Sequence, residues 1–251
     1  MAMSPLEELL LAAAGLVAGT ASAMVGGASL LTFPTLLAFG LPPLAANVSN
    51  TTGLVPTSVG AALASRLELE GSRSRLAFLA VPTVLGAGTG AVVLLTTPAR
   101  VFEAAVPYLI AGASLLLLAQ PWIVARAGQR LRRSDRRGSW ASAFVSGLYA
   151  GYFGAAAAVL FMALVGLFST ESIHQLNAIR NVLIGVSNAV AMVIFAFVAP
   201  VHWDAAGALA VGSLVGGMVG ARLARRVPAR PLRAAIVLVG LAVAAWIAVG
   251  G

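Results

Sequence analysis

Apolar positions in this chain gather into eight long runs, at residues 8–39, 44–64, 76–95, 101–124, 140–167, 173–199, 203–221 and 231–249. None shows the strict alternation of a membrane β-strand, and runs of about 18 residues or more are long enough to cross a hydrocarbon core of about 30 Å. In lipid every backbone N–H and C=O must be satisfied within the protein, so the pattern predicts an all-α polytopic membrane protein.

Two runs are too long for one crossing. The first and the fifth cover roughly 28–32 residues, which at about 1.5 Å per residue overshoots the bilayer. Each carries small residues at mid-length: Gly26-Gly27-Ala28 in the first, Gly151 and then Gly154 followed by Ala155 to Ala158 in the fifth. A helix broken at these points is expected to bend back as a re-entrant hairpin.

The stretch Ala125–Ser139, ARAGQRLRRSDRRGS, divides the chain nearly in half, giving a first transmembrane repeat at 1–125, an Arg-rich cytoplasmic linker at 126–139 and a second repeat at 140–251. The halves match at an offset of 128 to 130 positions: Gly19 and Gly26 fall on Gly147 and Gly154, Asn47 on Asn177, and Thr57-Ser58 on Ser187-Asn188. Further on, Gly86, Gly90 and Pro98 fall on Gly216, Gly220 and Pro228. Register kept through four segments indicates a duplicated unit, the usual ground plan of secondary transporters.

Composition agrees: 60% of residues are hydrophobic, only 10% are charged, and the mean hydropathy is +0.96. The formal charge of +8 does not indicate a nucleic-acid partner, because the 16 basic residues are all arginines clustered between apolar runs. Counting both hairpins as non-crossing places every such cluster on one face and leaves only Arg100 opposite, as the positive-inside rule requires. Three crossings per half then predict inverted repeats with both termini outside; eight ordinary crossings with parallel halves are the alternative. The first run has no basic leader or small-residue cleavage site and is read as mature structure. With no cysteine there is no disulfide and no thiolate metal site, and no cofactor is expected.

Candidate chemistry lies in runs two and six. AANVSNTTGLVPTS holds Asn47, Ser49, Asn50, Thr51, Thr57 and Ser58; HQLNAIRNVLIGVSNA holds Asn177, Arg180, Asn181, Ser187 and Asn188. Amide and hydroxyl groups can donate hydrogen bonds to an anion without presenting a full negative charge to it. Arg180 sits inside an apolar run, where an unpaired charge costs a few kcal/mol, so it marks a functional site; a small anion is the fitting counter-ion. Pairing with Glu171 or snorkelling to the interface are the structural alternatives. The breaks at Gly26, Gly27 and Gly154, with Thr20, Ser22, Ser29, Tyr149 and Tyr152 nearby, would expose free N–H groups and positive dipole ends to the same anion.

All eight acidic residues (Glu7, Glu8, Glu68, Glu70, Glu103, Asp135, Glu171, Asp204) and both histidines, His174 and His202, lie at run ends or in gaps. A membrane enzyme acting on a lipid-linked substrate would need converging acid, base or metal ligands, and a non-transporting subunit has no need of a buried arginine. The partners expected are a small anionic substrate and the bilayer; the oligomeric state is left open.

The first break with its C-terminal continuation, GLVAGTASAMVGGASLLTFPTLLAFGLPPLAANVSNTT, resembles the sulfite exporter TauE/SafE family, as does the closing GARLARRVPARPLRAAIVLVGLAV. The resemblance covers nearly the whole chain. It implies a multi-pass protein of a bacterial-type inner membrane that moves anions such as sulfite, organosulfonates and related organic acids, often outward. Here the usual glycine triplet is reduced to Gly26-Gly27-Ala28 with Pro34 retained, and the second copy reads GYFGAAAAVLFM, with Met162 where a proline is expected.

Overall fold

The computed structural model describes residues 4–129, 135–224, 226 and 228–249. These form helices α1 (Pro5–Val25), α2 (Ser29–Ala38), α3 (Pro43–Gly53), α4 (Val55–Ala64), α5 (Arg73–Thr96) and α6 (Ala99–Gln129) in the first half. The second half holds α7 (Arg136–Tyr152), α8 (Ala157–Val165) with a 3-10 turn at Gly166–Phe168, α9 (Ile173–Val198), α10 (Trp203–Leu223) and α11 (Ala229–Ala248). There is no strand among the described residues. Among the described residues six helices, α1, α5, α6, α9, α10 and α11, are long and apolar enough to cross a membrane. Part of the predicted linker, with Arg130, Arg132 and Arg133, lies outside the described residues, as does Arg225.

The helix ends follow from local chemistry. Ser4 caps α1 reciprocally with Glu7, and Ser172 caps α9 at Gln175. The first run breaks where Gly26 adopts φ 87°, and the fifth where Gly154 adopts φ 76° and Ala156 φ 56°. A left-handed alanine costs about 1 kcal/mol or more, so the packing around this turn must hold it. A third break, not anticipated from the sequence, separates α3 from α4 at Leu54. Pro56 lacks the N–H that would bond the Thr52 carbonyl, which interrupts the ladder there.

Glycines set how the helices pair. On α10 a Cβ at Gly212, Gly216 or Gly220 would overlap the carbonyl oxygens of Ala12, Leu16 and Thr20 of α1. On α7 one at Gly147 or Gly151 would overlap the carbonyls of Thr83 and Ala87 of α5. Such backbone-to-backbone contact is the small-residue packing through which membrane helices associate. In both pairs residue numbers rise together, so α1 runs parallel to α10 and α5 parallel to α7. By the repeat offset α1 corresponds to α7 and α5 to α10; each half therefore packs its first helix on the other half's equivalent of α5.

Directions elsewhere are set by similar contacts. The α3–α4 stretch runs with α10, since Gly53 at the end of α3 lies against Leu209 and Thr57 of α4 against Gly217. α4 runs against α9, whose Gly185 meets Ser58 while Asn177, earlier on α9, shares a cavity with Ser65, beyond the end of α4. The outward faces are apolar, with Val59, Leu63, Phe197, Val211 and Leu238 all more than half exposed. With six spanning helices they describe a multi-pass integral membrane protein whose exterior solvent is lipid.

Candidate functional site

The two glycine breaks come together at the centre of the molecule. A cavity of about 30 Å³ lies between them, lined from the first half by Ser22, Gly26, Ala28, Ser29, Leu54, Thr57 and Ser58, and from the second by Gly154, Ala156, Ala158, Ile184 and Asn188. Gly26 and Gly154, Ala28 and Ala156, Leu54 and Ile184, and Ser58 and Asn188 match at the sequence offset of 128 to 130, so the two halves contribute matched positions to the lining. Its volume suffices for one or two waters. A larger solute therefore requires the surrounding helices to part.

Two helices begin at this cavity. α2 starts after Ala28 and α8 after Ala156, and neither start has a side-chain cap. The turns before them take several first-turn N–H groups, Leu30 and Leu31 donating to the Gly27 and Ala28 carbonyls and Ala157 and Val159 to those of Gly154 and Ala156. What two helices from different halves turn toward this small space is therefore the positive end of each dipole, an arrangement that favours negative charge.

Arg180 stands beside it, only 1% exposed. Its Nε and Nη2 donate to Asn181 Oδ1 at 3.3 and 2.8 Å, and Nη2 also donates to the Ser22 carbonyl at 3.4 Å. Its Nη1 faces Gly26, where a Cβ would lie 3.2 Å from it. Arg180 neither snorkels nor pairs with Glu171; that carboxylate binds Arg75 at 3.1 Å and accepts from Ser169. Arg75 also donates to Ser139 at 3.0 Å, which ties α5 to the start of α7.

A second cavity, of about 60 Å³, lies further along α9 toward its N-terminus and is lined by Ala23, Ser65, Glu68, His174, Asn177, Asn181, Ala221 and Ala224. The positions that the sequence offset matches to three of its lining residues are filled. Ser65, Ala221 and Ala224 correspond to Phe195, Ala91 and Leu94, all fully buried. The Phe153 ring there meets Phe33 and Phe102 edge-to-face, with centroids 5.4 and 6.3 Å away.

Of the residues singled out from sequence, Ser22, Gly26, Ser29, Thr57, Ser58, Gly154 and Asn188 line the central cavity, Asn177 and Asn181 the second one, and Arg180 lies between. The others lie elsewhere. Asn47 donates to the Tyr152 carbonyl at 3.0 Å, Ser49 accepts from the His202 backbone at 2.8 Å, Ser187 donates to Leu183 of its own helix, and Gly27 faces Leu117 and Ile236. Thr51 is buried, and Asn50, the repeat mate of Arg180, accepts from Thr32. Among these residues, Asn47 Oδ1, Asn50 Nδ2, Thr57 Oγ1 and Asn181 Nδ2 are buried without a protein partner. Leu54 and Ile184 were not singled out from sequence, and Ala28 and Ala156 were named there only as parts of the two breaks.

Comparison with known proteins fits this picture. The sequence model of the family described as sulfite exporter TauE/SafE matches residues 11–247. The chain is 27% identical over 247 residues to the probable membrane transporter protein YfcA of Escherichia coli K12, covering 97% of this chain and 90% of that one. It is 25% identical over 231 residues to the probable membrane transporter protein ORF9 of a Sinorhizobium species, covering 92% and 88%. A probable membrane transporter protein of Haemophilus influenzae is 25% identical over 218 residues, covering 83% and 82%. No solved structure matches the chain.

Proposed function

The chain belongs to the sulfite exporter TauE/SafE family of membrane transporters, and on that footing we propose that it exports a small anion such as sulfite, an organosulfonate or a related organic acid. The observation that carries the proposal is the convergence of two uncapped helix N-termini and a buried arginine on one cavity. Each dipole end contributes about 0.3–1 kcal/mol toward a negative charge at its first turn. The arginine adds a full positive charge in a low-dielectric setting. An anion entering here supplies the counter-charge that the protein withholds from Arg180, while Thr57 Oγ1 is left free to bond to it.

Transport proceeds by alternating access between two inverted repeats. The inversion is supported by helix directions: α4 runs against α9, its counterpart by the repeat offset, and the swapped pairs α1 with α10 and α5 with α7 are those a two-fold axis in the membrane plane would generate. Re-entrant courses for α1–α2 and α7–α8 are supported by the arginines, which then cluster on one face. The vestibule at Ser65, His174 and Asn177 lies at that Arg-rich end, and the apolar plug of Phe33, Phe102, Phe153 and Phe195 at the other. The conformation is therefore read as closed outward and nearly open inward. An interior-negative potential drives anion exit by about 2.3 kcal/mol per charge per 100 mV.

Two experiments test these readings. Purified protein is expected to be stabilised by millimolar sulfite, sulfoacetate or acetate and not by choline, with a gain approaching about 2.7 kcal/mol when the anion reaches a hundred times its Kd. Absence of a shift with every anion would count against the site. For topology, the natural lack of cysteine makes Glu70→Cys, Arg230→Cys and Pro200→Cys clean reporters. A membrane-impermeant maleimide should reach the first two from one face and the third from the other. Eight ordinary crossings would instead place Glu70 and Arg230 on opposite faces.

A further inference from the structure

We propose that Arg180 and Asn181 together form the anion-selective constriction between the central cavity and the inner vestibule, with Asn181 acting as the positioning residue for the guanidinium. The inference rests on the anion-transport reading above and adds to it a place and a division of labour.

The placement comes from which cavity each contact belongs to. Ser22 and Gly26, both against Arg180, line the central cavity, whereas Ala23 and Asn181 line the vestibule. The guanidinium therefore bridges the wall between the two spaces, from the Ser22 carbonyl of α1 to the Asn181 side chain of α9. A solute passing between the cavities has to pass this group.

The selectivity comes from how the hydrogen-bonding capacity is spent. Asn181 is a neutral side chain with one acceptor oxygen and two N–H donors. Its oxygen is taken by Nε and Nη2 of Arg180, at 3.3 and 2.8 Å, which fixes one edge of the guanidinium. What is left over on Asn181 is Nδ2, a buried donor with no protein partner. What is left over on Arg180 is the Nη1 corner facing Gly26. The pair thus presents donors and positive charge to the pathway and no free acceptor. Since the oxygen that orients Arg180 carries no formal charge, the guanidinium is held without being neutralised. A carboxylate in the same place would hold it as well geometrically and would cancel the charge an incoming anion needs.

This distinction makes the proposal testable by concentration-dependent flux of labelled sulfite in proteoliposomes, comparing wild type with Asn181→Asp, Asn181→Ala and Asn181→Gln at equal folded protein. Asn181→Asp is isosteric, keeps two acceptors for Arg180 and adds an internal counter-ion, so its KM for sulfite should rise about 30-fold or more. Asn181→Ala frees the guanidinium and should raise KM about tenfold, whereas Asn181→Gln, which retains the amide, should recover most of that loss. A purely structural role for Asn181 predicts lowered folded yield and Vmax with KM unchanged in all three, and that pattern overturns the proposal. So does Asn181→Asp with KM within about twofold of wild type. If Asn181→Asp does not fold, the order of KM values for Ala and Gln decides, equal values counting against positioning. Absence of sulfite, sulfoacetate and acetate flux in wild type defeats the transport reading itself, a result distinct from either.

Discussion

Arg180→Ala is expected to lower the apparent affinity for a transported anion about 100-fold, equivalent to about 3 kcal/mol, with folded yield preserved. The magnitude reflects where the charge sits. A guanidinium 1% exposed is poorly screened by water; Glu171, the carboxylate closest to it in sequence, is taken by Arg75, Glu68 lines the second cavity, and the groups that hold Arg180 are the neutral Asn181 side chain and the Ser22 carbonyl, so its attraction for an entering anion is retained. Folding is spared because removing a buried charge removes its own desolvation cost, leaving Asn181 and the Ser22 carbonyl to be rehydrated from the cavities beside them. Two helix N-termini remain, which predicts weak residual binding and not abolition. Arg180→Lys keeps the charge but loses the fork that grips Asn181, and should fall between the two. The check is the concentration dependence of labelled anion flux for the three proteins.

Gly26→Val should be nearly as damaging, by a different route. Gly26 has φ 87°, where a β-branched side chain costs about 1–2 kcal/mol. Its Cβ would also stand 3.0 Å from the Ala158 methyl and 3.2 Å from Arg180 Nη1. Neither neighbour can retreat freely, because Ala158 lies in the first turn of α8 and Arg180 is held by Asn181. The valine methyls would enter the central cavity of about 30 Å³ and push the guanidinium off its bond to Ser22. Flux is expected to fall at least about tenfold together with a loss of stability on the order of 2 kcal/mol, read by thermal unfolding. The repeat mate provides the control. A Cβ on Gly154 meets only the Ala150 carbonyl, at 3.2 Å, so Gly154→Ala should carry the strain of φ 76° without obstructing Arg180. Flux falling in the first variant and largely surviving in the second would separate occlusion from strain.

The helices were legible in sequence because lipid leaves the backbone few choices: each apolar run became a helix or a broken pair within a few residues of its predicted limits. The breaks at Gly26 and Gly154 were legible too, since runs too long for one crossing carried glycine at mid-length. The Leu54 break had a signal in Pro56 that the polarity of its surroundings obscured. Less legible was the rotation of each helix about its axis. In a soluble helix the apolar stripe marks the buried face, but in lipid both faces are apolar, so spacing alone did not tell Thr57, which lines the cavity, from Ser187, its repeat mate, which bonds its own helix. Sequence proximity likewise pointed from Arg180 to Glu171, whereas the fold brings Arg75 to that carboxylate instead. Asn47 and Asn177 show a further limit. They match at the sequence offset, yet one is bonded to the Tyr152 carbonyl and the other lines the second cavity, a difference that the match between the halves does not carry.

The measurement that bears most directly on the two-break anion site is flux into or out of proteoliposomes of labelled sulfite, sulfoacetate and acetate, set beside zwitterionic taurine and cationic choline, with wild type and Arg180→Ala in parallel. Saturable movement of at least one anion by wild type, strongly reduced in Arg180→Ala, and no movement of choline is the predicted result. Flux that ignores the sign of the charge, or that is as fast in Arg180→Ala as in wild type, would contradict it.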